Sequence, residues 1–133
     1  MKLEPFRGYA QLLNDAKARI QAARTRAALA VNRELIALYW DLGQMIVERQ
    51  KRHDWGDAVI ERLSADLRRE FPDNKGFSRT NLFYMRQLFL TYQDAPTIVQ
   101  RLVGQIPWGH NIVILEKVKP PAAREYYLRA AAE

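Results

Sequence analysis

A chain of 133 residues with 48% hydrophobic content is one domain's worth of sequence with enough apolar mass for a core, which excludes a disordered tail. Its longest apolar stretch is broken by Asp41 and Gln44 and lies far from the N-terminus, so neither a membrane span nor a signal peptide is expected and the expected compartment is the cytoplasm. The absence of cysteine excludes disulfides and thiolate zinc sites, and 21 basic against 15 acidic residues, a net charge of +6, make a polyanion a natural partner.

The chain opens on a lead-in, Met1 to Gly8, that contains Pro5. Tyr9, Leu13, Ala16, Ile20, Ala23, Ala27 and Ala30 then recur at a 3-4 spacing, a narrow helical seam whose alanines allow close approach of another helix. The apolar rhythm slips near Ala27 and continues from Val31 to Val47, where Leu35, Ile36, Leu38, Tyr39, Trp40, Leu42, Met45 and Ile46 leave little of the circumference polar. That pattern predicts a buried central post. No proline separates the two patterns, so one helix is predicted over roughly residues 8–51. It would be about 65 Å long, against about 35 Å for a compact domain of this size. Either it bends, near Ala27 or Gly43, or its alanine-rich half packs on a partner.

The same helix carries the densest basic series, Lys17, Arg19, Arg24, Arg26 and Arg33, with only Asp15 to offset it before Glu34. A solvated helix face accounts for this series as well as a phosphate-binding stripe does. After the polar segment Gln50 to Asp54, a second helix is expected from about Gly56, with the stripe Val59, Ile60, Leu63, Leu67 and Phe71 and a stop at Pro72. Asp73 to Gly76 reads as a turn, Phe77 as a staple and Ser78 as the N-cap of a third helix that turns Leu82, Met85, Phe89 and Tyr92 inward. Helix, glycine-containing turn and helix give a helix-turn-helix outline, with a turn longer than usual.

On the outer side of the third helix the 100° step places Arg79, Thr80, Phe83, Gln87 and Leu90, with Arg86 at the flank. Arg79, Thr80, Arg86 and Gln87 are residue types that read DNA grooves. Phe83 and Leu90 point instead to a protein contact, as do Leu13 and Ile20 of the first seam. A short helix follows Ala95-Pro96 with Ile98, Leu102 and Val103 apolar, ending near Gly104. Ile112 to Leu115 is read as a short buried helix for want of a strand to pair with, and a last helix follows Pro120-Pro121. The chain then stops at Glu133 without a C-cap, as if cut from a longer polypeptide.

The ordered series Tyr39-Trp40 with Gly43, Trp55-Gly56, Leu63 to Leu67, Phe71-Pro72, Gly76-Phe77-Ser78, Asn81-Leu82, Met85-Arg86 and Pro107 to His110 resembles the N-terminal domain of the YhcG family over nearly the whole chain. The resemblance implies a bacterial protein in which a helical DNA-binding domain precedes a C-terminal nuclease domain of the PD-(D/E)xK type. That catalytic pattern is not expected within these residues: Pro72-Asp73 and Asp73-Asn74-Lys75 share one carboxylate, and Glu116 to Lys119 has the wrong spacing. Asp73 reads as a turn residue. His53 and His110 have no evident ligand partners, so neither a metal nor another cofactor is expected; the His110 ring, at a helix start, is expected to hydrogen-bond buried backbone.

Together these readings predict an all-α bundle of five or six helices. The expected function is DNA binding and positioning through Arg19, Arg24, Arg26, Arg79, Thr80, Arg86 and Gln87 for a nuclease domain of the same polypeptide, with no catalysis of its own. The alternative is an assembly module joined through Leu13, Ile20, Phe83 and Leu90. A homodimer through the first helix is expected, and no membrane partner.

Overall fold

The computed structural model describes residues 8–133, without the side chains of positions 12 and 16. Most of the lead-in, Pro5 included, and the Ala16 side chain of the seam therefore lie outside the described residues. Six helices follow one another: α1 (Tyr9–His53), α2 (Ala58–Glu70), α3 (Arg79–Tyr92), α4 (Thr97–Val103), α5 (Trp108–Lys117) and α6 (Pro121–Ala132). The fold is all-α, with no strand among the described residues.

The chain divides into two units, Met1–Val31 and Asn32–Glu133. In the first, none of the described side chains from Tyr9 to Val31 is buried. The helix runs on without a break at Ala27 or at Gly43, so neither of the two anticipated bends interrupts its hydrogen bonding.

The second unit holds the core, in two clusters. One gathers Ile36 with Leu88 and Tyr92 of α3, Val99, Leu102 and Val103 of α4, Ile114 and Leu115 of α5 and Leu128 of α6. The other joins Tyr39 and Ile46 to Ile60, Phe77, Leu82 and Met85. On α1 these contacts use one face, that of Ile36, Tyr39, Gly43 and Ile46. The expectation of a buried central post packed on several sides is thereby corrected: Val31, Leu38 and Met45 are 67%, 42% and 48% exposed. Apolar periodicity gave the extent of the helix correctly, but the remaining short helices supply cover for one face only.

The breakers act where their chemistry predicts. Ser78 has an extended backbone and its hydroxyl accepts from the Asn81 N–H, capping α3, while Phe77 before the cap and Leu82 in the first turn meet in the core as a staple. Pro120 and Pro121 open α6, and Gly104 closes α4. Ile112 to Leu115 lie inside α5, a helix, as their lack of a partner strand required. In α4 the buried residue of the first turn is Val99, whereas Ile98 is 39% exposed.

Among the described residues the small polar side chains Ser64 and Asn111 are buried. The Ser64 hydroxyl donates to the Phe77 carbonyl at 2.7 Å, tying α2 to the α3 entry. The Asn111 amide donates to the Val103 carbonyl at 3.0 Å, satisfying the end of α4. Binding buried backbone was expected of His110, which is exposed; its neighbour one position on points inward instead.

Candidate nucleic-acid interface

In the first unit Lys17, Arg19, Arg24 and Arg26 are all exposed, and none makes an ion pair among the described residues. Their spacing distributes them along the helix. Lys17 and Arg24 are seven residues apart on one flank of the Tyr9, Leu13 and Ile20 stripe, and Arg19 and Arg26 are seven apart on the other. Asp15 is the one acid between Tyr9 and Val31, and it accepts from the Gln11 amide at 2.8 Å. The stripe is open to solvent, with Tyr9, Leu13 and Ile20 56%, 41% and 52% exposed. This half of α1 is a cationic ridge with an apolar seam along it.

On α3 the cations are differently placed. The Arg79 guanidinium meets the Glu61 carboxylate at 2.9 Å, with more than half of both side chains in solvent. Arg86 is much less exposed, at 22%, and donates to the Asp57 carboxylate at 2.8 Å and the Gln50 amide oxygen at 2.9 Å. These bonds join the end of α1, the start of α2 and the middle of α3. Arg86 lowers the Asp57 carboxyl below the usual range, with help from Gln50. Phe83, half-buried, has the Arg79 and Arg86 guanidiniums over its ring at 4.8 and 4.7 Å from the centroid. Thr80 and Gln87 are exposed, and Leu90 is 47% exposed beside a cleft of about 410 Å³ that Tyr92, Pro96 and Pro121 also line.

The outward placement of Arg79, Thr80, Gln87 and Leu90 therefore holds, whereas Arg86 is a brace inside the domain and Phe83 is the ring it stacks on. The eight residues Phe71–Ser78 separate α2 from α3, more than the usual three or four of a helix-turn-helix. One basic position stands out only in three dimensions. Arg101 of α4 joins Arg33 at a cleft of about 590 Å³ beside Trp40, and a lone arginine in a short helix carries no sequence signal for that pairing.

The signature residues do structural work. The Trp108 indole N–H donates to the Asn81 side-chain oxygen at 3.1 Å, and the Asn81 amide donates to the Gly76 carbonyl at 3.1 Å. Tyr39 packs edge-on to Trp108, with ring centroids 4.8 Å apart, and burial pushes its hydroxyl pKa up. Tyr39, Gly76, Asn81 and Trp108 are thus one linked group, matching the ordered motif read from the sequence. A family model described as the DUF1016 N-terminal domain matches residues 15–133. The chain belongs to this family, the YhcG/DUF1016 N-terminal domain. No curated protein and no solved structure matches it. In this DUF1016 N-terminal domain the motif residues Tyr39, Gly76, Asn81 and Trp108 link α1, the α3 entry, α3 and α5, and no helix is long and apolar enough to cross a membrane among the described residues.

Proposed function

We propose that this DUF1016 N-terminal domain binds and positions DNA for a PD-(D/E)xK nuclease domain elsewhere in the same polypeptide. The observation that supports it is the ridge of Lys17, Arg19, Arg24 and Arg26, four exposed cations with no acidic partner among the described residues. Such charges gain by releasing counterions from a phosphate backbone, which gives affinity with little sequence preference. The α3 cations enter differently: Arg79 would have to leave Glu61, and Arg86 would have to abandon Asp57 and Gln50. Phosphate contact is therefore assigned to α1, with Thr80 and Gln87 as secondary contacts. The nuclease association rests on the family resemblance.

Titration of labelled duplex DNA at several salt concentrations tests this. Affinity should fall steeply with salt, and Arg24→Glu with Arg26→Glu should weaken binding by at least about tenfold and reduce the salt slope by roughly two. Arg79→Ala should change little. Loss of binding with Arg79→Ala alone, the reversed pair having no effect, would move the contact to α3.

A second reading, an assembly module, is favoured by one observation: the Tyr9, Leu13 and Ile20 stripe lies in water. A helix with an apolar stripe gains most of its stability from packing that stripe on something.

A further inference from the structure

The side of α1 left open in the second unit faces α2 across an apolar groove. Leu38, Leu42, Leu67, Phe71 and Phe77 line about 810 Å³ of it, with Glu70 and Asp73 among the edge residues. Farther along the same two helices a separate, smaller cleft is lined by Met45, Arg49, Val59 and Leu63. Leu38 and Phe71 are 42% and 52% exposed, so the groove is an unfilled packing surface as well as a dent. A groove between two helices suits a third helix laid along it.

We propose that this groove receives the Tyr9–Val31 segment of α1 from a second copy of the chain. The proposal rests on the assembly reading and is independent of the DNA reading. Three features fix the occupant. The segment carries a narrow seam whose Ala23 and Ala27 let a helix approach closely, and no described side chain on it is buried. Charge is complementary: among the residues that line the groove Glu70 and Asp73 outnumber Lys75, while Lys17, Arg19, Arg24 and Arg26 outnumber Asp15 on the segment. Finally, every copy owns one segment and one groove, so a two-fold exchange fills both and closes the assembly at two.

Sedimentation of the chain, with far-ultraviolet circular dichroism to verify folding, tests the exchange. The wild-type chain should be a dimer. Ile20→Glu on the seam, and Leu38→Glu in the groove, should each raise the dimer dissociation constant by about a hundredfold or more while leaving a folded monomer, since both positions are exposed in one copy. Phe71→Glu is the second groove variant, should Leu38→Glu fail to fold. An equimolar mixture of the Ile20→Glu and Leu38→Glu chains keeps one intact seam and one intact groove, and should form a heterodimer that neither forms alone. A monomeric wild-type chain overturns the proposal, as does a mixture with no heterodimer. A dimer broken by Ile20→Glu but untouched by both groove variants also overturns it, because the seams would then pair with each other. Failure of the DNA reading would appear in the salt titration and leave these sedimentation results unchanged.

Discussion

Gly43 of α1 lies directly against the backbone of Met85 in α3: a Cβ at that glycine would overlap the Met85 carbonyl oxygen and sit 2.7 Å from its carbon. Neither helix can yield locally, because the obstructing atoms are main chain. Gly43→Ala should therefore force α1 and α3 apart and cost about 3 kcal/mol, read as a drop in the urea midpoint. Gly109→Ala is the matched control, since a Cβ there meets nothing within 4 Å. It should be neutral or slightly stabilising, as expected from helix propensity.

The Arg86 brace makes stability depend on pH. Asp57 is held below its ordinary pKa by the Arg86 and Gln50 hydrogen bonds, so it binds protons less readily folded than unfolded. Its contribution is complete above the unfolded pKa of about 4 and is lost as pH falls through the folded value. Asp57→Asn should thus lower the urea midpoint near neutral pH, and the gap from wild type should shrink as pH falls through the folded value. A gap that stays constant over that range would show that Asp57 contributes no charge-dependent stability.

Asn81 serves three partners at once: its backbone N–H donates to the Ser78 hydroxyl, its amide to Gly76, and its side-chain oxygen accepts from Trp108. Asn81→Ala removes the side-chain bonds and leaves the indole N–H without its acceptor, a loss of about 2 kcal/mol. The fluorescence of Trp108, isolated by comparison with Trp108→Phe, should shift to the red as water reaches the ring. Unchanged emission and midpoint would mean that the Asn81 link carries no weight.

The helix limits were legible because they depend on local chemistry. Pro72, Ser78, Gly104 and Pro121 act on their own backbone, and the Ser78 cap forms with the partner its spacing calls for. The face of α1 that remains open was not legible, since Leu38 and Met45 share the apolar period of Ile36 and Tyr39, and only the paths of α2 and α3 separate them. Ser64 and Asn111 were missed for a related reason: one polar residue beside an apolar stripe reads as surface until its buried carbonyl partner is located. On the α3 face, residue type gave the outward set. The carboxylates that meet Arg79 and Arg86 come from positions 18 and 29 residues earlier, a distance over which sequence pattern carries no pairing information.

The last prediction concerns catalysis. Hydrolysis of a phosphodiester by a PD-(D/E)xK site needs two separated carboxylates and a lysine converging on a divalent cation. Asp73 is an exposed turn residue at the edge of the α1/α2 groove, and Glu116, the nearest alternative in the sequence pattern, accepts from the Tyr84 hydroxyl. No three acidic or histidine side chains among the described residues are grouped to hold a metal ion. The chain should therefore leave supercoiled plasmid intact in magnesium or manganese, and Asp73→Ala should behave identically. Metal-dependent nicking that disappears with Asp73→Ala would place a cleavage centre in this domain and replace the division of labour proposed for it, in which these helices hold DNA and another domain cuts.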